Sequence, residues 1–171
     1  MNQSTQVITL TNEEIQKAKD EGMRRRSLAV ANRRTDYCPT PSNDRVFMDI
    51  NGAAGELAGA KYFGFQLDFD PYKYGSADLV IGKVSLDFKT THHQDGVLLV
   101  QQSGSSHPTV YVCVVGSLPT YRLVGWKLAT EVRQPHNQSK RFYMAYAIEQ
   151  QFLNPIATLP RFIVESTSCS I

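Results

Sequence analysis

The sequence predicts an α/β fold in which helices flank a mixed central sheet. Two long helical segments come first along the chain, and several short apolar strands and a short helix follow them. The segment 109–115 is apolar on both faces, as strands are when both sides of their sheet are covered. Helices followed by strands in this order are typical of an α/β sandwich. A chain of 171 residues suits one such domain with a full hydrophobic core.

The first helix and the loop after it have clear local signals. Thr11 and Glu14 have the spacing of a capping box, which predicts a helix that begins after Thr11. Its apolar residues follow a helical period, although imperfectly, and we expect it to end at about Arg33 or Arg34. The prolines within 38–43 predict a loop.

The second helix is expected from about Asp44 to Phe63, with Gly64 as its C-cap. Its centre, 51–60, is rich in glycine and alanine. Each glycine there costs about 1 kcal/mol relative to alanine, so a close approach to another element must compensate. We therefore expect this helix to lie flat on the sheet.

The remaining elements are predicted from apolar runs between turn residues. They are, in chain order, a short strand at 65–69, a loop at 71–75, a hairpin at 77–89, an apolar segment at 97–100, strands at 109–115 and 121–126, a helix at 127–132, a possible strand at 142–146 and a short segment near 150–159. We expect a single domain, 1–171, with its core at about 11–132 and a C-terminal extension at 133–171.

The hairpin is the most informative segment. Its turn, Gly82-Lys83, has glycine first, as a type II′ turn prefers. Closing the hairpin there makes one face wholly apolar, through the pairs Ile81–Val84, Leu79–Leu86 and Ala77–Phe88. The same register places Asp78 opposite Asp87 on the other face, with Lys89 two residues further along that face.

Two carboxylates opposite each other on neighbouring strands require an explanation, because like charges there are destabilising. A cation between Asp78 and Asp87 would remove the repulsion. Mg²⁺ is the simplest candidate, since it prefers carboxylate oxygens and keeps waters for chemistry. The alternative is that the two acids form a solvated face and that Lys89 merely balances their charge.

Charge and cysteine content limit the other function classes. The net charge of +2 does not indicate a general attraction to nucleic acid, so contacts with DNA would need local patches. The arginines at 24–26 and 33–34 are the densest positive charge, and either phosphate binding or a solvated helix end explains them. An odd number of cysteines, a polar N-terminus and the lack of a long apolar stretch favour a reduced cytoplasmic protein without membrane association.

Three segments together resemble the PD-(D/E)XK nuclease superfamily: Gly55-Glu56-Leu57-Ala58, Gly75-Ser76-Ala77-Asp78 and Asp87-Phe88-Lys89. The resemblance reaches from the first helix to about Trp126 and implies a restriction-endonuclease-like fold. It departs from the family pattern in one respect, because no proline precedes Asp78.

The resemblance also implies roles for individual residues. Glu56, Asp78 and Asp87 would ligate Mg²⁺ together with the main-chain carbonyl of Phe88, and Mn²⁺ would substitute. Lys89 would orient the attacking water and help to stabilise charge on the phosphate.

The same resemblance predicts a Mg²⁺-dependent DNA endonuclease that leaves a 5′-phosphate. Its DNA, expected to be double-stranded, would be contacted by Arg24, Arg25, Arg26 and Thr91. A homodimer or a larger homo-oligomer is expected if both strands are cut, and the small size is typical of a phage or mobile-element protein. The alternatives are a catalytically inactive nucleic-acid-binding protein of the same fold, and a partner-binding scaffold that does not bind nucleic acid.

Overall fold

Two long helices begin close to the predicted positions in the computed structural model, which describes residues 6–32, 42–69, 77–102, 108–142 and 144–168. Helix α1 is Asn12–Ala31 and helix α2 is Ser42–Tyr62. The capping box is confirmed, since the Glu14 N–H donates to Thr11 Oγ1 at 3.2 Å and the Thr11 N–H donates to Glu14 Oε2 at 2.7 Å.

Several predicted features lie outside the described residues. They are the helix end at Arg33 or Arg34, most of the loop at 38–43, the loop at 71–75, and the motif residues Gly75 and Ser76.

In the described part of the chain, eight strands and two shorter helices complete the fold. The strands are β1 (Val7–Thr9), β2 (Leu79–Ile81), β3 (Val84–Thr91), β4 (Leu98–Gln101), β5 (Val110–Ser117), β6 (Thr120–Leu128), β7 (Ala145–Ile148) and β8 (Asn154–Pro155). The helices are α3 (Ala129–Val132) and α4 (Leu159–Ser168), and 3₁₀ turns lie at Pro135–Asn137, Gln150–Phe152 and Ile156–Thr158. None of the helices in the described residues is long and apolar enough to cross a bilayer.

The central sheet is mixed, as predicted. Its strand order is β1-β6-β5-β3-β2, with β8 added beside β6. Strands β3 and β5 are parallel, and the other neighbours are antiparallel. Strands β4 and β7 form a separate antiparallel pair. The α/β class is therefore confirmed.

Both faces of strand β5 are covered, which confirms its predicted central position. Val110, Val112 and Val114 lie in one core cluster with apolar residues of α1, α2 and α4. Tyr111 and Cys113 lie in a second cluster with residues of β4, β7 and α3. The fold thus has helices on one face of the sheet and a small second sheet on the other.

Helix α2 lies directly on strand β3. Gly59 packs against the ring of Phe88 and Gly55 against Thr90, and a β-carbon at either glycine would overlap these side chains. This close approach confirms the interpretation of the glycine-rich centre of α2. It also fixes the distance of Glu56 from β3, because Glu56 directly follows Gly55.

The strand predicted at 65–69 is wrong, because this segment is not part of any sheet. Leu67 and Phe69 pack against the core, while Asp68 forms an ion pair with Lys17 of α1. The segment therefore lies against the helices. The alternation of apolar and polar residues that predicted a strand arises from this one-sided burial.

The C-terminal part of the chain contains more structure than predicted. Strand β7 begins at Ala145, whereas the predicted strand was 142–146. Met144, directly before β7, has a positive φ of 49°, which extended backbone does not have. Strand β8 extends the main sheet, and Leu159 and Ile163 of α4 enter the main core. Neither α4 nor the short strand β1 was predicted.

Candidate active site

The hairpin has the predicted register. Its pairs include Leu79 with Leu86 and Ile81 with Val84. Gly82 has a φ of 61°, and Met144 is the only non-glycine residue of the described chain with a positive φ, so Lys83 has a negative one. One positive and one negative φ in this order fit the type II′ turn.

Asp78 lies just before β2, where this register ends, so the predicted pairs Ala77–Phe88 and Asp78–Asp87 are not part of the ladder. Its N–H donates to the carbonyl of Leu86 at 2.9 Å, and its Oδ2 accepts the N–H of Phe88 at 2.7 Å. Loss of hydration and the charges of Glu56 and Asp87 raise the pKa of Asp78 well above its usual range, against the opposing effects of this hydrogen bond and of Lys89. The carboxylates of Glu56 and Asp87 therefore both affect the charge state of Asp78.

Asp87 and Lys89 form an ion pair on the opposite face of β3 from Phe88. Asp87 is buried, with 8% of its surface exposed, and its Oδ1 lies 2.6 Å from Lys89 Nζ. Burial alone would lower the pKa of Lys89, but the charge of Asp87 outweighs it and raises the pKa. Lys89 is therefore a firmly charged ammonium group beside the carboxylates.

Tyr111 of the neighbouring strand β5 helps to confine Lys89. It pairs with Asp87 in the register of β3 and β5, and Lys89 Nζ lies 5.8 Å from the centre of its ring. Arg133 donates to the Tyr111 hydroxyl at 2.7 Å. Neither Tyr111 nor Arg133 was predicted as part of the site, because the pairing of β3 with β5 has no signal in the local sequence.

Glu56 is held by an arginine of the first helix. Both of its carboxylate oxygens accept hydrogen bonds from Arg25, at 2.6 and 2.7 Å. Arg25 also donates to Glu21 at 2.7 Å. Burial would lower the pKa of Arg25, but Glu56 and Glu21 raise it, so Arg25 stays a cation.

The arginines predicted to contact DNA have partners within the chain. Arg24 donates to Glu21 at 2.7 and 2.8 Å, and Arg26 donates to Asp49 of α2 at 2.6 Å. The contacts of Arg25 with Glu56 and of Arg26 with Asp49 join α1 to α2, whereas that of Arg24 lies within α1. Contact of any of the three with DNA stays a prediction.

Thr91, the fourth residue predicted to contact DNA, ends strand β3. It is half-buried, and its hydroxyl accepts the N–H of His93 at 3.2 Å. Its predicted contact with phosphate also stays a prediction.

The residue types of the site fit Mg²⁺, which prefers carboxylate oxygens. Among the described residues, however, no group of three or more His, Cys, Asp or Glu side chains is arranged to hold a metal ion. In the present arrangement Arg25 donates to both oxygens of Glu56, and Lys89 Nζ lies 2.6 Å from one oxygen of Asp87. A metal ion at Glu56 would therefore compete with the positive charge of Arg25.

We find no match to this chain among protein-family models, curated proteins or solved structures.

Proposed function

We propose that the protein is a Mg²⁺-dependent DNA endonuclease with a restriction-endonuclease-like fold. The observation that carries this proposal is the hydrogen bond from the Phe88 N–H to Asp78 at 2.7 Å, which holds this carboxylate against the segment in which Asp87 and Lys89 form an ion pair at 2.6 Å. Three positions in the fold support the proposal: Asp78 directly precedes β2, Asp87 and Lys89 lie on β3, and Glu56 lies on helix α2.

The charge balance of this group supports a cation site. Arg25 compensates Glu56, and Lys89 compensates Asp87. The raised pKa of Asp78 indicates that its negative charge is compensated less well. Like charges in a site with little water cost free energy unless a cation or a proton joins them. A divalent cation would supply the missing positive charge.

The chain's residues then have distinct roles in hydrolysis. Asp78 and Asp87, with Glu56 and the carbonyl of Phe88, would hold Mg²⁺. When bound, Mg²⁺ would supply Lewis acidity and a water of lowered pKa to the reaction. Lys89, protonated and fixed by Asp87, is placed to donate a hydrogen bond to the attacking water or to a phosphate oxygen. Tyr111 limits the movement of Lys89.

The wider setting follows from the same proposal. Double-stranded DNA is the proposed substrate and Mn²⁺ the proposed substitute metal. A homodimer would allow both strands to be cut. A cytoplasmic protein of a phage or mobile element is the proposed biological context.

A plasmid-cleavage assay tests the proposal. The wild type should cut DNA with MgCl₂ and not with EDTA, and Asp87→Ala and Lys89→Ala should each lose roughly 10²- to 10⁴-fold in rate. Glu165→Ala and Lys140→Ala are the matched controls, because both residues are exposed and lie on other elements of the fold. These two variants should cut at the wild-type rate.

Three outcomes would contradict the proposal. DNA binding without cleavage by the wild type would favour the non-catalytic nucleic-acid-binding protein. If the wild type neither binds nor cleaves DNA, this result would favour a scaffold. Unchanged cleavage in Asp87→Ala and Lys89→Ala would show that these residues are not the catalytic ones.

A further inference from the structure

We infer that Arg25 is an exchangeable counter-ion of Glu56, which holds this carboxylate in the metal-free protein and releases it to a divalent cation. The inference rests on the proposed function, since it concerns the same metal site. It assigns to Arg25 a role in setting metal affinity, which differs from the DNA contact predicted for this residue.

The contact between Arg25 and Glu56 occupies the oxygens that a metal would need. Two guanidinium nitrogens, Nη1 and Nη2, each reach a different oxygen of Glu56, at 2.6 and 2.7 Å. Such two-pronged pairs are the strongest charge-assisted hydrogen bonds between side chains. A metal that binds Glu56 must therefore compete with Arg25.

Arg25 keeps other partners if Glu56 leaves. Its Nε donates to Glu21 at 2.7 Å, and its guanidinium lies 5.3 Å from the centre of the Phe69 ring. Its side chain is one-third exposed, so water can hydrate the nitrogens that Glu56 vacates. The exchange thus leaves no buried and uncompensated cation, which would be costly.

Glu21 also keeps its hydrogen bonds if Glu56 exchanges Arg25 for a metal ion. It is buried, with 6% of its surface exposed, and it accepts two hydrogen bonds from Arg24 in addition to that from Arg25. Arg24 and Arg25 can therefore stay in place while Glu56 moves. The only partner that must change is that of Glu56, whose neighbour Gly55 packs against Thr90 of β3, the strand that carries Asp87.

The neighbouring residue Arg26 provides a matched control. It also joins α1 to α2, through an ion pair with Asp49 at 2.6 Å. The loss of either arginine removes one pairing between the two helices. Only the loss of Arg25 removes a partner of Glu56, one of the three proposed metal-binding carboxylates.

Isothermal titration calorimetry with MgCl₂ and no DNA tests the inference. Arg25→Gln should bind Mg²⁺ about tenfold to a hundredfold more tightly than the wild type, which is the size of effect that neighbours of metal ligands commonly have. Arg26→Gln should bind as the wild type does. In the double variant Arg25→Gln/Glu56→Gln the gain in affinity should disappear.

Thermal unfolding provides a second readout that does not depend on catalysis. Added MgCl₂ should raise the melting temperature of Arg25→Gln more than that of the wild type or of Arg26→Gln. If Arg25→Gln does not fold without metal, Arg25→Lys takes its place. A lysine keeps the charge but cannot hold both oxygens with a planar fork, so it should tighten Mg²⁺ binding by a smaller factor.

The outcomes separate this inference from the proposed function. Equal or weaker Mg²⁺ binding by both Arg25 variants, with measurable binding by the wild type, would overturn the role of Arg25 and leave the nuclease proposal intact. A lack of Mg²⁺ and Mn²⁺ binding by the wild type and every variant, alone and with DNA, would overturn both.

Discussion

Two neighbouring groups of charged side chains differ in how their acids are compensated. In the arginine cluster, between α1 and α2, each acid faces an arginine at 2.6–2.8 Å. Its members are Glu21, Arg24, Arg25, Arg26, Asp49 and Glu56. In the hairpin cluster, which consists of Asp78, Asp87 and Lys89, two acids lie beside one lysine.

The pKa values of one acid from each cluster shift in opposite directions. Burial would raise the pKa of Glu21, but hydrogen bonds and charges from Arg24 and Arg25 lower it. Burial and neighbouring acids raise the pKa of Asp78. The ion pairs of the arginine cluster therefore hold two helices together in the metal-free protein. The hairpin cluster, in contrast, has one lysine for two acids, and a divalent cation would supply the missing positive charge.

The largest expected effect is the loss of an acid from the arginine cluster. Glu21→Gln should lower the free energy of unfolding by about 3 kcal/mol, the lower end of the range for breaking a buried ion pair, because Arg24 and Arg25 stay partly exposed. Urea unfolding measures this change. Glu165→Gln, which removes an exposed ion pair with Arg161, should change it by less than about 0.5 kcal/mol.

If Glu21→Gln lowered the free energy of unfolding by less than about 1 kcal/mol, the result would contradict the proposed difference between the two clusters. It would mean that the arginine cluster stabilises the two helices no more than a surface ion pair does.

A pair of matched substitutions should change stability in opposite directions. Asp49→Asn should destabilise the metal-free protein by about 1.5 kcal/mol, because it weakens a charge-assisted bond to Arg26. Asp78→Asn should stabilise it by up to about 1 kcal/mol, because it removes repulsion between like charges. Unfolding at pH 7 in EDTA measures both changes.

Saturating MgCl₂ sharpens this test. It should stabilise the wild type and Asp49→Asn by about 2.7 kcal/mol at a hundredfold excess over the dissociation constant. It should stabilise Asp78→Asn much less, so that the advantage of this variant disappears. A destabilised Asp78→Asn in EDTA would show that the carboxylate of Asp78 is needed for the fold and not for a cation.

The local parts of the site could be predicted from the sequence. The turn at Gly82 and the alternation of apolar residues determine the hairpin register over 79–86. The predicted pairing of Asp78 with Asp87 lies beyond this stretch, where the carboxylate of Asp78 accepts the N–H of Phe88. The capping box likewise depends on residues three apart. Interactions within a few residues leave such signals because a few dihedral angles decide them.

Contacts between distant segments could not be predicted in the same way. The pairing of Arg25 with Glu56 joins residues 31 positions apart on two helices, and many other arginines and acids have equivalent local surroundings. The segment 65–69 shows the same limit, because its alternating pattern fits a strand as well as a coil packed against the core. Such choices depend on the tertiary contacts of the whole chain.

The smallest expected effect is a difference in pH dependence between the two clusters. For Asp78, whose folded-state pKa is raised, the folded protein keeps a proton to higher pH than the unfolded chain does. The favourable contribution of Asp78 to the free energy of unfolding is complete below the ordinary carboxyl pKa of about 3.9. This contribution is lost as the pH rises through the raised pKa. The stability of Asp78→Asn relative to the wild type in EDTA should therefore increase over that range, by up to about 1 kcal/mol.

For Glu21, whose folded-state pKa is lowered, the sign is the reverse. Its contribution is complete above the ordinary value of about 4.3 and is lost as the pH falls through the lowered value. The deficit of Glu21→Gln relative to the wild type should therefore shrink in acid, as measured by urea unfolding across a pH series. If both variants gave differences that move in the same direction with pH, the two clusters would not differ in charge compensation, and the case for a cation at the hairpin would lose its electrostatic basis.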